Sequence, residues 1–154
     1  MDTIDSKIEG LLITKLVQFK DERGAVMKFL DRTKFQFIDF GEVYFSLIKP
    51  GAIKGWKLHK VAVQNICAVY GETTFAFLDL RENSPTLNKS QEIVIDTEDR
   101  HYLITIPPGV WYAFKSSSSE FSIISNVSSI VHNPVESVTS NFKDGLIEYE
   151  WEND

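Results

Sequence analysis

Short β-rich runs separated by turn residues follow one another along nearly the whole chain. About ten such runs recur at a spacing of roughly 8–12 residues. Two of the turns are Lys49-Pro50-Gly51 and Pro107-Pro108-Gly109, in which proline presets φ and glycine accepts a positive φ. No segment keeps a helical period over about ten residues. The pattern therefore predicts an all-β sandwich or barrel.

The predicted strands carry most of the apolar and aromatic residues. They are Leu11–Phe19, Ala25–Leu30, Gln36–Phe40, Glu42–Ile48, Val61–Tyr70, Thr73–Leu80, Gln91–Ile95, His101–Ile106, Val110–Phe114, Phe121–Val127 and Ile147–Trp151. Within Glu42–Ile48, the apolar residues Val43, Phe45 and Leu47 share one face. The best helix candidate is the short stretch Pro134–Ser140.

Length and composition favour one folded unit. The 154 residues fit a single domain, 1–154. Hydrophobic residues make up 43%, with eleven Phe, five Tyr and three Trp, so a sizeable core is expected and strands are favoured. The single cysteine, Cys67, excludes an internal disulfide, and its apolar strand context predicts a buried structural residue.

The charge balance excludes some functions. A net charge of −6 argues against sequence-independent nucleic-acid binding, which needs a basic face. A few convergent Arg and Lys side chains can still bind one pyrophosphate. Residues 1–10 are polar and lack the apolar region of a signal peptide, and no apolar run approaches the ~20 residues of a membrane span. We therefore expect a soluble cytoplasmic protein with no membrane partner.

Three segments together carry a resemblance to a known family. They are residues 44–60, which include Lys54-Gly55-Trp56-Lys57-Leu58-His59, residues 78–86 and residues 106–115. The turn at Arg23-Gly24 and the segments His132–Glu136 and Tyr149–Trp151 fit the same pattern. In order and spacing the chain resembles the dTDP-4-dehydrorhamnose 3,5-epimerases and their shorter relatives, from about Arg23 to Trp151.

This resemblance implies a cupin-type double-stranded β-helix, a jelly-roll barrel with short peripheral helical turns. It also implies a homodimer that acts on nucleotide-linked 4-keto sugars without a metal or other cofactor. The family's chemistry removes a proton α to the sugar ketone and returns one to the opposite face. That reaction requires a base, a cation at the developing enolate oxygen and an acid. In the family these are normally histidine, held by an aspartate, with lysine and tyrosine.

Three of these positions hold other residues in this chain. Lys57 stands at the position of the base histidine, Gln64 at that of the enolate lysine, and Asn126 at that of the tyrosine acid. The aspartate that holds the base corresponds to Asp144. A lysine acts as a base only if burial or nearby cations lower its pKa from ~10.4. Asparagine cannot donate a proton as an acid, so epimerisation at two carbons is not expected.

The candidate site residues follow from the resemblance and from the cationic cluster beside residue 57. We predict Lys57 or His59 as the base and Tyr112, which follows the second Pro-Gly turn, as an acid. The predicted substrate-binding residues are Arg23, Lys54, Lys60, Gln64, Asn65, Arg81 and Asn126. Structural roles stay open for several of them: Arg81 fits a salt bridge that holds its own loop, Trp56 and Tyr112 fit a core, and His101 and His132 fit peripheral positions.

Metal binding is not expected. Metal-dependent cupins use two histidines, a glutamate and a third histidine, whereas the corresponding positions here are Lys57, His59, Gln64 and Tyr112. One donor of four does not make a transition-metal site.

Two hypotheses for function remain at this stage. The first is an isomerase, an epimerase of a nucleotide-linked keto-deoxysugar in surface polysaccharide biosynthesis. The alternative is a catalytically inactive cupin that binds a nucleotide sugar or serves as an assembly partner.

Overall fold

The computed structural model describes residues 3–141 and 147–152, and in these residues it contains β-strands and no helix. The thirteen strands of the described residues are β1 Thr3–Ile4, β2 Leu12–Lys15, β3 Gln18–Asp21, β4 Gly24–Met27, β5 Glu42–Ile48, β6 Ile53–His59, β7 Gln64–Tyr70, β8 Thr73–Asp79, β9 Ser90–Ile95, β10 Tyr102–Ile106, β11 Val110–Ser116, β12 Ser122–Ser128 and β13 Ser137–Thr139.

Two antiparallel sheets form the body of the fold. A six-stranded sheet has the order β1-β2-β10-β7-β12-β5, and a five-stranded sheet has the order β13-β6-β11-β8-β9. Strands β3 and β4 form a separate hairpin. The strands that pair are often far apart in sequence: β5 pairs with β12, so that Tyr44 lies opposite Asn126. Each sheet therefore collects its polar residues from distant parts of the chain.

The core lies between the two sheets. Because side chains alternate across a strand, one face of each sheet contributes to it. Ile66 and Ile104 from the six-stranded sheet pack there with Phe75, Phe77 and other apolar side chains of the five-stranded sheet. The outer faces are covered separately. Trp56 is buried under Ile147 and Trp151 on one side, and Cys67 under Phe29 and Leu30 on the other.

The all-β prediction is confirmed, and most predicted strands form. Glu42–Ile48 forms with the bounds expected from sequence. Leu11–Phe19 instead divides into β2 and the start of β3, and Gln36–Phe40 is not a strand. The helix predicted for Pro134–Ser140 is wrong, because residues 137–139 pair with β6. No helix in the described part of the chain has the length and apolar character needed to cross a membrane.

Cys67 is buried, as its sequence context predicted. Burial raises the pKa of its thiol to about 12. The thiol therefore stays protonated and unreactive at neutral pH.

Candidate active site

Two adjoining cavities open between the sheets. The larger, about 350 Å³, is lined by Glu42, Tyr44, Lys57, His59, Ser128, Ile130, Val131, His132 and Glu136. The smaller, about 190 Å³, is lined by Tyr44, Ser46, Lys54, Gly55, Lys57, Ile66, Tyr112, Phe114, Ile124, Asn126 and Thr139. Tyr44 and Lys57 line both, so they stand where the two cavities meet.

Strand β6 supplies the charged wall. Lys57 and His59 lie two residues apart and therefore face the same side of the strand, whereas Trp56 faces the opposite, outer side. Strand β11 lies beside β6 and brings Tyr112 opposite Lys57. The base and acid candidates predicted from sequence thus lie on neighbouring strands of the same sheet.

A row of three hydrogen-bonded side chains forms the buried end of this wall. The Nδ1 atom of His59 lies 2.8 Å from Oε2 of Glu136, and its Nε2 lies 3.2 Å from the Tyr112 hydroxyl. The other carboxylate oxygen of Glu136 accepts hydrogen bonds from the backbone N–H groups of Val61 and Ala62. His59 is 8% exposed and Tyr112 is 3% exposed, so the row is almost completely shielded from water.

The electrostatics fix the protonation of this row. Burial would raise the pKa of Glu136, but the backbone N–H groups and His59 outweigh it and lower the pKa to about 2. Burial lowers the pKa of His59 below its ordinary 6.5, although Glu136 opposes this. At neutral pH, His59 is therefore neutral beside an ionised carboxylate. The Nδ1–H donates to Glu136, and the Nε2 lone pair accepts from the Tyr112 hydroxyl.

Tyr44 and Asn126 form part of the opposite wall, on β5 and β12. The Asn126 side-chain amide donates to the Tyr44 hydroxyl oxygen at 2.7 Å. Burial raises the pKa of Tyr44 above its ordinary 10.0, Glu42 raises it further, and the bond from Asn126 opposes both. Tyr44 is therefore a neutral phenol at neutral pH.

Five residues predicted from sequence come together in these cavities. They are Lys54, Lys57, His59, Tyr112 and Asn126. Lys57 lines both cavities, and among the described residues no ion pair engages its ammonium group. The two cavities together are thus lined by two ammonium groups, two imidazoles and two phenols.

Gln64 and Asn65 lie on opposite faces of β7. Gln64 is buried on the inner face and donates to Ser128, a residue of the larger cavity. Asn65 points the other way, where it donates to the Gln36 carbonyl and accepts from Thr105. The structure therefore brings Gln64 close to the site and does not bring Asn65 there.

The three other predicted binding residues line neither cavity. Arg23 lies on the β3–β4 hairpin, where it pairs with Asp21 at 2.7 Å and lines a separate cavity of about 280 Å³. Lys60 donates to the Val135 carbonyl at an exposed position. Arg81 binds the buried Asp79 through two nitrogens, which accounts for it without a ligand.

Four titratable residues of the larger cavity were not predicted from sequence as site residues: Glu42, Tyr44, His132 and Glu136. The alternation of β5 was a signal for Tyr44, because Val43 and Phe45 on the other face are exposed. His132 was expected to be peripheral and instead borders the cavity. Asp144, the aspartate expected to hold the base, lies outside the described residues.

In residues 3–141 and 147–152 no group of three His, Cys, Asp or Glu side chains is arranged to hold a metal ion. The Nδ1 atom of His59 is engaged by Glu136, and Tyr112 occupies Nε2.

The chain is similar to a known protein family and to several individual proteins. The sequence profile of the family described as dTDP-4-dehydrorhamnose 3,5-epimerase matches residues 5–154. A dTDP sugar isomerase from Desulfovibrio desulfuricans has a similar crystal structure, with a TM-score of 0.92 and 30% sequence identity. That match covers 98% of this chain and 96% of the other.

Two curated proteins are also similar in sequence. One is the probable low-salt glycan biosynthesis epimerase Agl13 of Haloferax volcanii, 29% identical over 109 residues, which covers 69% of each chain. The other is the spore coat polysaccharide biosynthesis protein SpsL of Bacillus subtilis, 27% identical over 108 residues, which covers 70% of this chain and 71% of that protein.

Proposed function

Because the chain belongs to the dTDP-4-dehydrorhamnose 3,5-epimerase family, we propose that it is an isomerase that epimerises a nucleotide-linked 4-keto-deoxysugar for polysaccharide biosynthesis. The names of two relatives, a glycan biosynthesis epimerase and a spore coat polysaccharide biosynthesis protein, support the sugar pathway. The reaction is a proton transfer at the carbon next to the ketone and needs no metal.

The observation that carries this proposal is the buried row Glu136–His59–Tyr112 beside Lys57. A carbon next to a ketone loses a proton only when a base meets it and the enolate oxygen is stabilised. Here a neutral imidazole with a fixed tautomer lies on the same strand face as the Lys57 ammonium group, which no ion pair within the described part of the chain engages. Both requirements are thus met within one cavity wall.

His59 acts as the base in this proposal. Glu136 keeps the proton on Nδ1, which leaves Nε2 as the accepting atom, and it stabilises the imidazolium that forms. The bound sugar displaces the Tyr112 hydroxyl, whose 3.2 Å bond to Nε2 is long for an O–H donor. The sequence left the choice between Lys57 and His59 open, and the lowered pKa of His59 favours the imidazole.

Lys57 then serves as the cation at the enolate oxygen. It borders both cavities and so lies beside any sugar that spans them. Lys54, at the exposed end of the smaller cavity, is the proposed contact of the pyrophosphate, since ammonium groups bind phosphate as point charges. The proposed base and the proposed cation line the same cavity, which supports an enzyme over the alternative of an inactive binding protein.

A homodimer forms part of the proposal. Strand β5 is an edge strand, and its outward side chains Val43, Phe45 and Leu47 are each at least half exposed. An open strand edge with an apolar row favours pairing with a second copy. Arg23, which lines neither of the two adjoining cavities of its own chain, is then the proposed contact to the ligand of the partner. A nucleotide-linked substrate also favours a cytoplasmic location.

Proton exchange tests the function. We expect the protein, incubated in D₂O with a dTDP-linked 4-keto-6-deoxy sugar, to replace the proton next to the ketone with deuterium, as followed by NMR. His59→Gln should slow this exchange by about 10²–10⁴-fold, the usual contribution of a general base. Lys57→Met should also slow it. Lys89→Met serves as the matched control, because Lys89 is exposed and lines neither cavity.

The absence of exchange with dTDP-, CDP- and GDP-linked 4-keto sugars would contradict the proposed activity. Ligand binding is measured separately, as a thermal shift that grows with the concentration of dTDP.

A further inference from the structure

Inversion at a carbon needs groups on both faces of the enolate, because the base removes the proton from one face and the acid must return one to the other. His59 and Lys57 both lie on β6, in the five-stranded sheet. An acid for the second face must therefore come from the six-stranded sheet across the cavity. This requirement rests on the proposed epimerase activity.

We propose that Tyr44 is the acid that delivers the proton to the face opposite His59. Tyr44 lies on β5, in the six-stranded sheet, and borders both cavities together with Lys57. A sugar whose ketone oxygen meets Lys57 therefore lies between the imidazole of one sheet and the phenol of the other. Tyr44 and His59 line the same 350 Å³ space.

The hydrogen bond from Asn126 orients the phenol for this role. The amide Nδ2–H donates to the Tyr44 oxygen at 2.7 Å, so the phenol accepts along that direction. Its own O–H remains available to donate, because it forms no hydrogen bond to another residue of the described part of the chain. Since the phenol is neutral at neutral pH, it carries the proton that an acid must give.

Asn126 and Tyr44 are direct neighbours in the paired strands β12 and β5. Side chains at such positions are about 5 Å apart at Cβ. An acid was expected at position 126, where an amide cannot supply a proton. The structure places a phenol one strand away, and the amide holds it. Asn126 is thus a positioning residue for Tyr44.

Tyr112 is less suited to this role, although the sequence pointed to it. It lies on β11, in the same sheet as His59, and its hydroxyl is bonded to Nε2 of that histidine. A proton that it gave up would reach the face from which His59 removes one. Tyr112 is also 3% exposed, whereas Tyr44 is only partly buried.

The step balances in atoms and charge. The C–H bond breaks, its proton goes to Nε2 of His59, and its electron pair forms the enolate. The O–H bond of Tyr44 then breaks, and a new C–H bond forms on the opposite face. A phenolate and an imidazolium remain, and exchange with solvent water restores both neutral side chains before the next turnover.

Two readouts separate the base from the acid. The first is the exchange of the proton next to the ketone with D₂O, and the second is the formation of the inverted sugar from the dTDP-linked 4-keto-6-deoxy sugar. In Tyr44→Phe we expect inversion to fall by about 10²-fold or more while exchange is largely retained. Tyr112→Phe is the matched control, a phenol removed from the other wall, and should not change the ratio of the two rates.

Equal ratios in Tyr44→Phe and the wild-type protein would overturn the role of Tyr44, and so would a change of the ratio in Tyr112→Phe alone. In both cases the wild-type exchange would leave the proposed epimerase activity standing. A wild-type protein with no exchange would overturn the activity itself. A thermal melt of each variant shows whether it is folded. Asn126→Leu removes the amide that orients Tyr44, so it should lower the ratio of inversion to exchange, as Tyr44→Phe does.

Discussion

The Glu136 carboxylate influences the protonation of His59, the proposed base. It accepts from His59 and from two backbone N–H groups, and these bonds stabilise its ionised form. Burial lowers the pKa of His59, and Lys57 and the exposed His132 lower it further. Glu136 opposes this lowering. Glu42 lines the same cavity as His59, and the Tyr112 hydroxyl is hydrogen-bonded to the imidazole. Glu136 is therefore a positioning residue.

Replacement of Glu136 should move the acid limb of the pH–rate profile. The proposed mechanism requires neutral His59, so we expect kcat/KM to fall as the pH drops through the His59 pKa, which lies below 6.5. Glu136→Gln removes the influence that raises this pKa, so the limb should move to lower pH while the maximal rate decreases. Lys57→Met removes an influence that lowers it, so that limb should move to higher pH. Two shifts in the same direction would contradict this account.

Individual residues differed in how far the sequence could predict them. Lys57 and His59 were predictable, because a motif and a two-residue spacing place them on one strand face. Glu136 was not, because it meets His59 across 77 positions of sequence and the contact depends on the pairing of β13 with β6. Tyr44 had a local signal in the alternation of β5, which only the burial of that strand made clear.

Strand β6 depends on the close approach of its neighbour β11. Gly55 has a φ of +117°, and a Cβ atom there would lie 2.8 Å from both the Cα of Ala113 and the carbonyl oxygen of Tyr112. These are backbone atoms, which cannot yield as a flexible side chain can. Gly55 therefore sets the separation of the two strands that carry Lys57 and Tyr112.

We expect Gly55→Ala to lower the free energy of unfolding by about 1–3 kcal/mol, from backbone strain and the steric clash. Exchange activity should also fall, because β6 must shift away from β11 and takes Lys57 with it. Urea unfolding and the D₂O exchange assay measure the two effects. Gly51→Ala is the control, since its φ is also positive but a Cβ atom there meets nothing within 4 Å. Equal effects at both positions would show that strain alone is responsible.

The loop after β8 is held by a single carboxylate. Asp79 is fully buried and accepts hydrogen bonds from Arg81, Ser84 and Thr86. Arg81 also binds the Glu9 carbonyl, which ties the N-terminal segment to this loop. The bond to Arg81, with those from Ser84 and Thr86, outweighs burial and lowers the pKa of Asp79.

Asp79→Ala should destabilise the protein by about 2–4 kcal/mol, because it leaves buried donors and a partly buried guanidinium without their partner. Since the folded-state pKa is lowered, this contribution is present above the unfolded value near pH 4 and is lost as the pH falls through the lowered value. The difference in urea midpoint between wild type and variant should therefore shrink in acid. A difference that grows toward low pH would contradict the ionised-carboxylate interpretation.

At the scale of elements, the sequence predicted strands better than their ends. Glu42–Ile48 was predictable because alternation and two turns bound it. Pro134–Ser140 was not, because the short segment forms a strand only through its partner β6. Leu11–Phe19 reads as one run, and its division reflects the separate β3–β4 hairpin, which local propensity does not encode.

The site exists only at the scale of the whole molecule, because its two walls belong to different sheets. The all-β architecture was predictable from the spacing of strands and turns, but the order of strands in each sheet was not. Pairings such as β12 with β5 join residues about 80 positions apart, and these pairings decide which polar side chains face one another. The family resemblance was sufficient to predict several residues that line the cavities, whereas the assignment of Tyr44 and Glu136 required the register of the sheets.

The outward row of β5 leads to a prediction about assembly. In a symmetric dimer every substitution appears twice at the interface, so one buried charge per chain has a double effect. Phe45→Glu places that charge at the centre of the row Val43, Phe45 and Leu47 on the edge strand. By light scattering, the wild-type protein should have twice the 17.6 kDa mass of the chain, and the variant should have the mass of one chain.

The control is Leu87→Glu, which changes an exposed leucine in the loop after β8 and should remain dimeric. If Arg23 contacts the ligand of the partner, as proposed, turnover falls together with dimerisation. A Phe45→Glu protein that stays dimeric would assign the interface to another face.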